Sequence, residues 1–340
     1  MTDERSKTRI VVRQPVSLFT SFKYYISAFA NNWIVSLIFG FMRWKNRDFW
    51  ASVAPSVIKT YPVRPDLPVR IFIPRENSQE KSTQAPLFFL IHGGGWVMGD
   101  AQMDDEQAHI LADKYGFCVV SLPYRLAPRY QFPTAILDCL ALMQAVLADE
   151  NLPVDHDRVV VGGFSAGAVI SLALAQLPDI KDRIKALVAL FPLTDFTGEG
   201  RPKGQVSPWG REDGLPPLQG MFDWAYIPVG QDLREPLLSP LYATREDIPQ
   251  PLFVITASAD CLCDEGRRMA CHLGLDEGSD MCDKESWESR GVKYHCVKDM
   301  PHSFTHFFEE INEREWEKKR QHANDEIWHD INAWLRKTLR

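Results

Sequence analysis

From residue 57 onward the chain alternates. Short apolar, β-branched runs are separated by stretches with helical periodicity, and nothing else in the sequence narrows the fold so far. Strands are expected at VIKTYPV, VRIFIP, LFFLIH, FCVVSL, RVVVGG, ALVALFP, LFVITAS and VKYHCVK. After Pro133, a residue suited to a helix start, Phe132, Ile136, Cys139, Leu140, Met143, Val146 and Leu147 trace one helical face. Ala323, Ile327, Ile331, Trp334 and Leu335 trace another near the end. Such alternation predicts an α/β fold, a mostly parallel central sheet flanked by helices on both faces. Ligands of such sheets bind beyond the carboxyl ends of the strands.

Two stretches escape the alternation: residues 1–56, rich in aromatics, and residues from 197 to about 240, rich in Gly and Pro. Both read as cap segments folded over the carboxyl edge of a single domain covering residues 1–340. The acidic run from Asp276 to Gly291 reads as a solvated loop. Tyr24 to Met42 carries no charge and is nearly long enough to cross a bilayer. Asn31 and Asn32 at its centre, with Ser27 and Ser36, argue for a soluble cap helix, membrane contact being the alternative.

A composition of 45% hydrophobic and 24% charged residues belongs to a globular protein with ample core material. The net charge of −7 leaves no basic footprint, so nucleic acid is not an expected partner. The seven cysteines are odd in number and irregular in spacing, which predicts free thiols and an intracellular, cytoplasmic location. No secretory signal is visible in MTDERSKTRIVVRQ. Cys261 and Cys263 are a weak metal pair, without matched His or Cys spacing.

Three features carry chemistry. Gly163-Phe164-Ser165-Ala166-Gly167 lies between a strand and a helix, the setting in which a G-x-S-x-G serine is held out on a strained turn. The competing reading is an ordinary N-cap serine. His92-Gly93-Gly94-Gly95-Trp96 closes another strand, and amides among Gly93, Gly94 and Gly95, with that of Ala166, would form an oxyanion hole. Asp260 and His302 each follow a late strand, so the order Ser165, Asp260, His302 suits a nucleophile, its base and the acid that orients the base. Asp264 rivals Asp260, but inside a helical first turn a carboxylate is a routine dipole partner. His295 and His306 lack the strand-end position of His302.

The chain resembles the hormone-sensitive-lipase-like carboxylesterases, the GDXG lipolytic family of the α/β-hydrolase fold. The resemblance rests on HGGGWVMGD, YRLAP followed by FPTAILD, GFSAG, the D-x-x-x-DEG pattern at Asp260 to Gly266, and PHSF at Pro301 to Phe304. It implies ester hydrolysis through an acyl-enzyme, with Ser165 as nucleophile, His302 as base, Asp260 as acid and two cap segments. No metal or organic cofactor is expected. The partner is a small-molecule ester, and the aromatics Trp33, Phe39, Phe41, Trp44 and Trp50 read as either an apolar substrate pocket or cap core. Departures from the family pattern are Phe164 for its acid, Ala168 for its final glycine and Arg129 for its glutamate after YRLAP. They bear on the polar wiring beside the nucleophile and on the acyl-side pocket. Because the base must be neutral, activity should climb through a pH near the histidine reference of about 6.5. Two alternatives stand: an amide or formamide deacylase on the same residues, and a non-catalytic receptor of the kind plants use for gibberellin.

Overall fold

The computed structural model describes residues 10–75, 84–199, 215–306 and 314–340. It opens with helices α1 (Leu18–Lys45) and α2 (Arg47–Ser52), then strands β1 (Val57–Lys59), β2 (Val69–Phe72) and β3 (Ala85–Ile91). Next come α3 (Asp105–His109), β4 (Cys118–Leu122), α4 (Thr134–Leu147), β5 (Val154–Phe164), α5 (Ala166–Leu174) and β6 (Ala186–Leu190). The chain ends with α6 (Pro216–Tyr226), β7 (Leu252–Ala257), α7 (Cys263–Gly274), β8 (Ser286–Ser289), β9 (Val292–Val297) and α8 (Arg314–Thr338).

Among the described residues the strands form one sheet in the order β1-β2-β4-β3-β5-β6-β7-β9-β8. From β4 across to β9 every pairing is parallel, and antiparallel strands close both ends. Because both faces are covered, the central strands read as unbroken apolar runs rather than alternating ones. Leu87, Phe89 and Ile91 of β3 pack with Leu142 and Met143 of α4 and Ile170 of α5. Phe88 and Leu90 face the other way, toward Ile327, Trp328 and Ile331 of α8. Both predicted helical faces are therefore core faces. Cutting Phe88 back to alanine would cost about 3–5 kcal/mol, since nothing there can collapse without moving the sheet.

The acidic stretch is not simply a loop. It holds a 3₁₀ turn at Asp280–Asp283 and the edge strand β8, whose Trp287 is buried against Tyr294 at 5.7 Å between ring centres. One apolar residue among charges left no periodicity to read. The expectation of free thiols also fails at one pair. The last turn of α7 and the 3₁₀ turn bring Cys271 and Cys282 to a Cα separation of 5.6 Å, and they form a disulfide. The other five cysteines form none among the described residues. Of the second expected cap segment, residues 200–214 lie outside the described residues, and the remainder supplies α6.

This topology sets the carboxyl ends of β3, β5, β7 and β9 side by side along one rim. HGGG follows β3, Ser165 follows β5, Asp260 follows β7 and His302 follows β9.

Candidate active site

Ser165 stands between the last residue of β5 and the first of α5, with φ 52° and ψ −114°. An N-cap serine would have extended backbone and a side chain accepting from the first turn. Ser165 has neither. A backbone held there costs of order 1–3 kcal/mol, and it persists because the Ser165 N–H is fixed to the Leu190 carbonyl at 2.8 Å. The flanking glycines are required by contact. A Cβ on Gly163 would lie 2.6 Å from the Ile91 carbonyl oxygen, and one on Gly167 only 2.1 Å from the same atom.

His302 Nδ1 and Asp260 Oδ2 are 2.7 Å apart, and the Asp260 side chain is fully buried. The other oxygen of Asp260 accepts from the Leu262 N–H at 2.9 Å, so the carboxylate cannot swing away. Asp264 is spent elsewhere: it pairs with Arg267 and Arg268 on its own helix at 2.7 and 3.0 Å. His295 lies 3.3 Å from Asp330 of α8, and His306 is buried with Asp104.

The glycine turn is built by its neighbours. The Gly93 carbonyl lies 2.8 Å from His92 Nδ1 and 3.1 Å from the Tyr124 hydroxyl, and the two aromatic rings stack at 4.2 Å. Burial pushes the His92 pKa down and that of Tyr124 up, so the imidazole stays neutral and the phenol stays a donor. Gly94 turns at φ 101°, where a Cβ would meet the Met98 carbonyl oxygen at 2.0 Å. Gly94 and Gly95 reach the cavity wall, while Gly93 lies against Phe164 and Ser165. As the first residue of α5, Ala166 keeps an N–H that no helical carbonyl can take.

Ser165, His302, Gly94 and Gly95 all line one cavity of about 250 Å³. Its walls are apolar: Val35, Ile38 and Phe39 from α1, Leu215 and Phe222 at α6, and Leu193, Met98 and Met103 from the sheet edge. Of the aromatics read from the sequence only Phe39 belongs to it. Trp33, Phe41 and Trp44 are exposed, so they form neither pocket nor core, while Trp50 is buried beneath the Arg43 guanidinium. Leu193, Leu215 and Phe222 carried no signal in the sequence, because they enter from loops and from α6, whose position only the packed chain defines.

Two of the three departures now have addresses. Phe164 is buried with its ring edge-on to His306 at 4.6 Å and to Trp328 at 6.2 Å. Arg129 lies away from Ser165, in a separate cleft beside Arg13, Tyr25 and Phe29.

A family model described as alpha/beta hydrolase fold matches residues 88–306. The chain belongs to that family. Within it, the chain is a member of the hormone-sensitive-lipase-like carboxylesterases, by the motifs quoted above. Its segment of similarity to an arylesterase of Saccharolobus solfataricus is 33% identical and covers 61% of this chain and 67% of that one. An arylacetamide deacetylase of Bos taurus is 36% identical over 37% of this chain, which is a third (33%) of the relative's own length. A solved esterase of Pyrobaculum calidifontis, 22% identical, superposes with a TM-score of 0.67 over 95% of this chain and 99% of that one, a likeness of fold. This hydrolase is thus an enzyme of the carboxylic-ester-hydrolase class.

Proposed function

We propose that the hydrolase cleaves esters of small or medium apolar acids or alcohols through an acyl-enzyme, with Ser165 as nucleophile, His302 as base and Asp260 as the acid. The observation that carries this is the bond of 2.7 Å between His302 Nδ1 and Asp260, on the wall of the cavity that Ser165 enters with a strained backbone. With Nδ1 held, Nε2 is the nitrogen that receives the Ser165 proton as the hydroxyl attacks the ester carbonyl. Charge then develops on the carbonyl oxygen and is met by amides among Gly93, Gly94, Gly95 and Ala166, each such donor being worth about 2.7–4 kcal/mol in the transition state. The imidazolium returns its proton to the leaving alcohol. A water activated by the same nitrogen repeats the steps and releases the acid. The apolar wall, furnished in part by α1 and α6 acting as caps, selects for hydrocarbon over charge.

A serine-directed phosphonate should stop turnover of p-nitrophenyl esters and label Ser165, read by mass spectrometry of the digest. Label on another residue, with Ser165→Ala still active, would refute the assignment. The bovine relative's name raises a second reading, amide deacylation. Matched anilides and esters separate the two, and we expect the ester to turn over faster.

A further inference from the structure

The outer face of α1 is the most anomalous surface of the molecule. Leu18, Phe22, Ile26, Phe29, Trp33, Leu37, Phe41 and Trp44 point outward, each at least half exposed. Monomeric soluble proteins rarely leave so long an apolar stripe in water. We propose that this face docks α1 flat on a phospholipid surface bearing anionic headgroups.

Four observations select this occupant. First, α1 is long and apolar enough to cross a bilayer, but it is tied to the body from end to end. Ser21 Oγ accepts from Trp224 Nε1 at 3.2 Å, Tyr24 meets the Trp224 ring at 6.0 Å, and Arg43 meets Asp105 at 3.3 Å. About 33 Å of helix is held between the first and last of these ties, so the helix lies along a membrane instead of crossing it. Second, two polar side chains near its middle are satisfied within the helix. Asn31 Nδ2 donates to the Ser27 carbonyl at 2.8 Å, and the Ser36 hydroxyl donates to the Asn32 carbonyl at 2.8 Å. Contact with hydrocarbon then costs them little. Third, residues 18–47 carry the cations Lys23, Arg43, Lys45 and Arg47 and no carboxylate, in a chain of net charge −7, with Arg43 paired to Asp105 and Arg47 to the next residue, Asp48. The cleft with Arg13 and Arg129 opens beside Tyr25 and Phe29 of the same face. A second copy would bring the same cations to this face, whereas anionic headgroups neutralise them. Fourth, aromatic rings with flanking cations are the composition of the membrane interface.

The test is co-sedimentation of the full chain with phosphatidylcholine vesicles, with and without phosphatidylglycerol. The protein should partition onto both, about tenfold more strongly with the anionic lipid. Trp33→Ser with Phe41→Ser, neither of which lines the catalytic cavity, should weaken partitioning about a hundredfold, roughly tenfold per ring, and leave turnover of a water-soluble short-chain ester unchanged. Lys45→Glu with Arg47→Glu should erase only the anionic preference. A monomer that ignores both vesicles would overturn the proposal, as would a dimer, seen by light scattering, that the Ser variants dissociate. Binding is read without turnover, so failure here is distinguishable from failure of the esterase reading.

Discussion

Two histidines four residues apart in the chain each meet a buried aspartate, and the two pairs face different surroundings. His302 meets Asp260 at 2.7 Å, and its ring forms part of the cavity wall shared with Ser165. His306 meets Asp104 at 3.0 Å, but its other nitrogen is taken by the Thr305 hydroxyl at 3.2 Å and the Phe164 ring closes over it. Burial does not separate the two: the imidazoles are 12% and 8% exposed. What separates them is where each ring faces: His302 onto the cavity that Ser165 also lines, His306 into packed space between Asp104, Thr305 and Phe164. Phe164 helps to enforce the distinction. A carboxylate at 164 would compete with Asp104 for His306 and bring polar wiring to the back of the nucleophile, whereas a phenyl ring keeps that side dry. On the proposed reading the first pair transfers protons, while the second holds its loop to the segment behind it.

The two pairs separate when one histidine is removed at a time. His302→Ala, like Ser165→Ala, should lower kcat about 10⁴-fold or more in steady-state assays with p-nitrophenyl acetate, and should scarcely move the thermal midpoint. Asp260→Asn should come close behind, at roughly 10³–10⁴-fold, because the wrong imidazole tautomer is then favoured. His306→Ala should do the reverse. It strands the buried Asp104 carboxylate and costs about 3 kcal/mol in urea unfolding, with kcat within a few-fold of the parent. If His306→Ala abolishes turnover in a fully folded protein, the division of roles is wrong.

Acid titration sharpens the contrast at a third histidine. Burial is the main cause holding the His92 pKa below the ordinary histidine value, with Asp104, the Gly93 carbonyl and Asp100 pulling it back. Folded His92 is therefore neutral where the unfolded chain would take up a proton. This contribution to stability is complete above about pH 6.5 and is lost as pH falls below it, by at most about 1.4 kcal/mol per pH unit. His92→Asn should flatten that acid slope in thermal melts. The smallest effect belongs to Asp264→Asn. It removes half-exposed pairs to Arg267 and Arg268, and should shift stability by no more than about 0.5 kcal/mol and activity not at all.

Much of this was legible in the sequence because the signals were local. A serine between glycines must be followed by a helix and preceded by a strand for its geometry to matter, and all three parts are contiguous in residues 158–174. HGGGW is likewise one short turn. Strand β8 and the Cys271–Cys282 bridge were not legible, since a lone Trp287 among charges and a separation of 11 residues hold no periodicity. Nor was the fate of the aromatics in α1. Phe39 and Phe41 are two residues apart, yet one lines the cavity and the other faces out, and only the angle at which α1 rests on α6 decides which.

Residue order alone set the alternation that makes a parallel sheet, the succession of Ser165, Asp260 and His302 along it, and the glycines at two tight turns. Those patterns are readable from backbone propensity and hydrophobic period alone, although the contact that requires Gly163 and Gly167, the Ile91 carbonyl, comes from a distant strand. The tertiary structure decided which of two equivalent His–Asp pairs faces a cavity, which loops wall it, and which face of an apolar helix is left in water. These depend on long-range packing, where residues from loops and distant helices meet. Local pattern carries no information about that meeting, because the same buried ring or imidazole satisfies the core from either side.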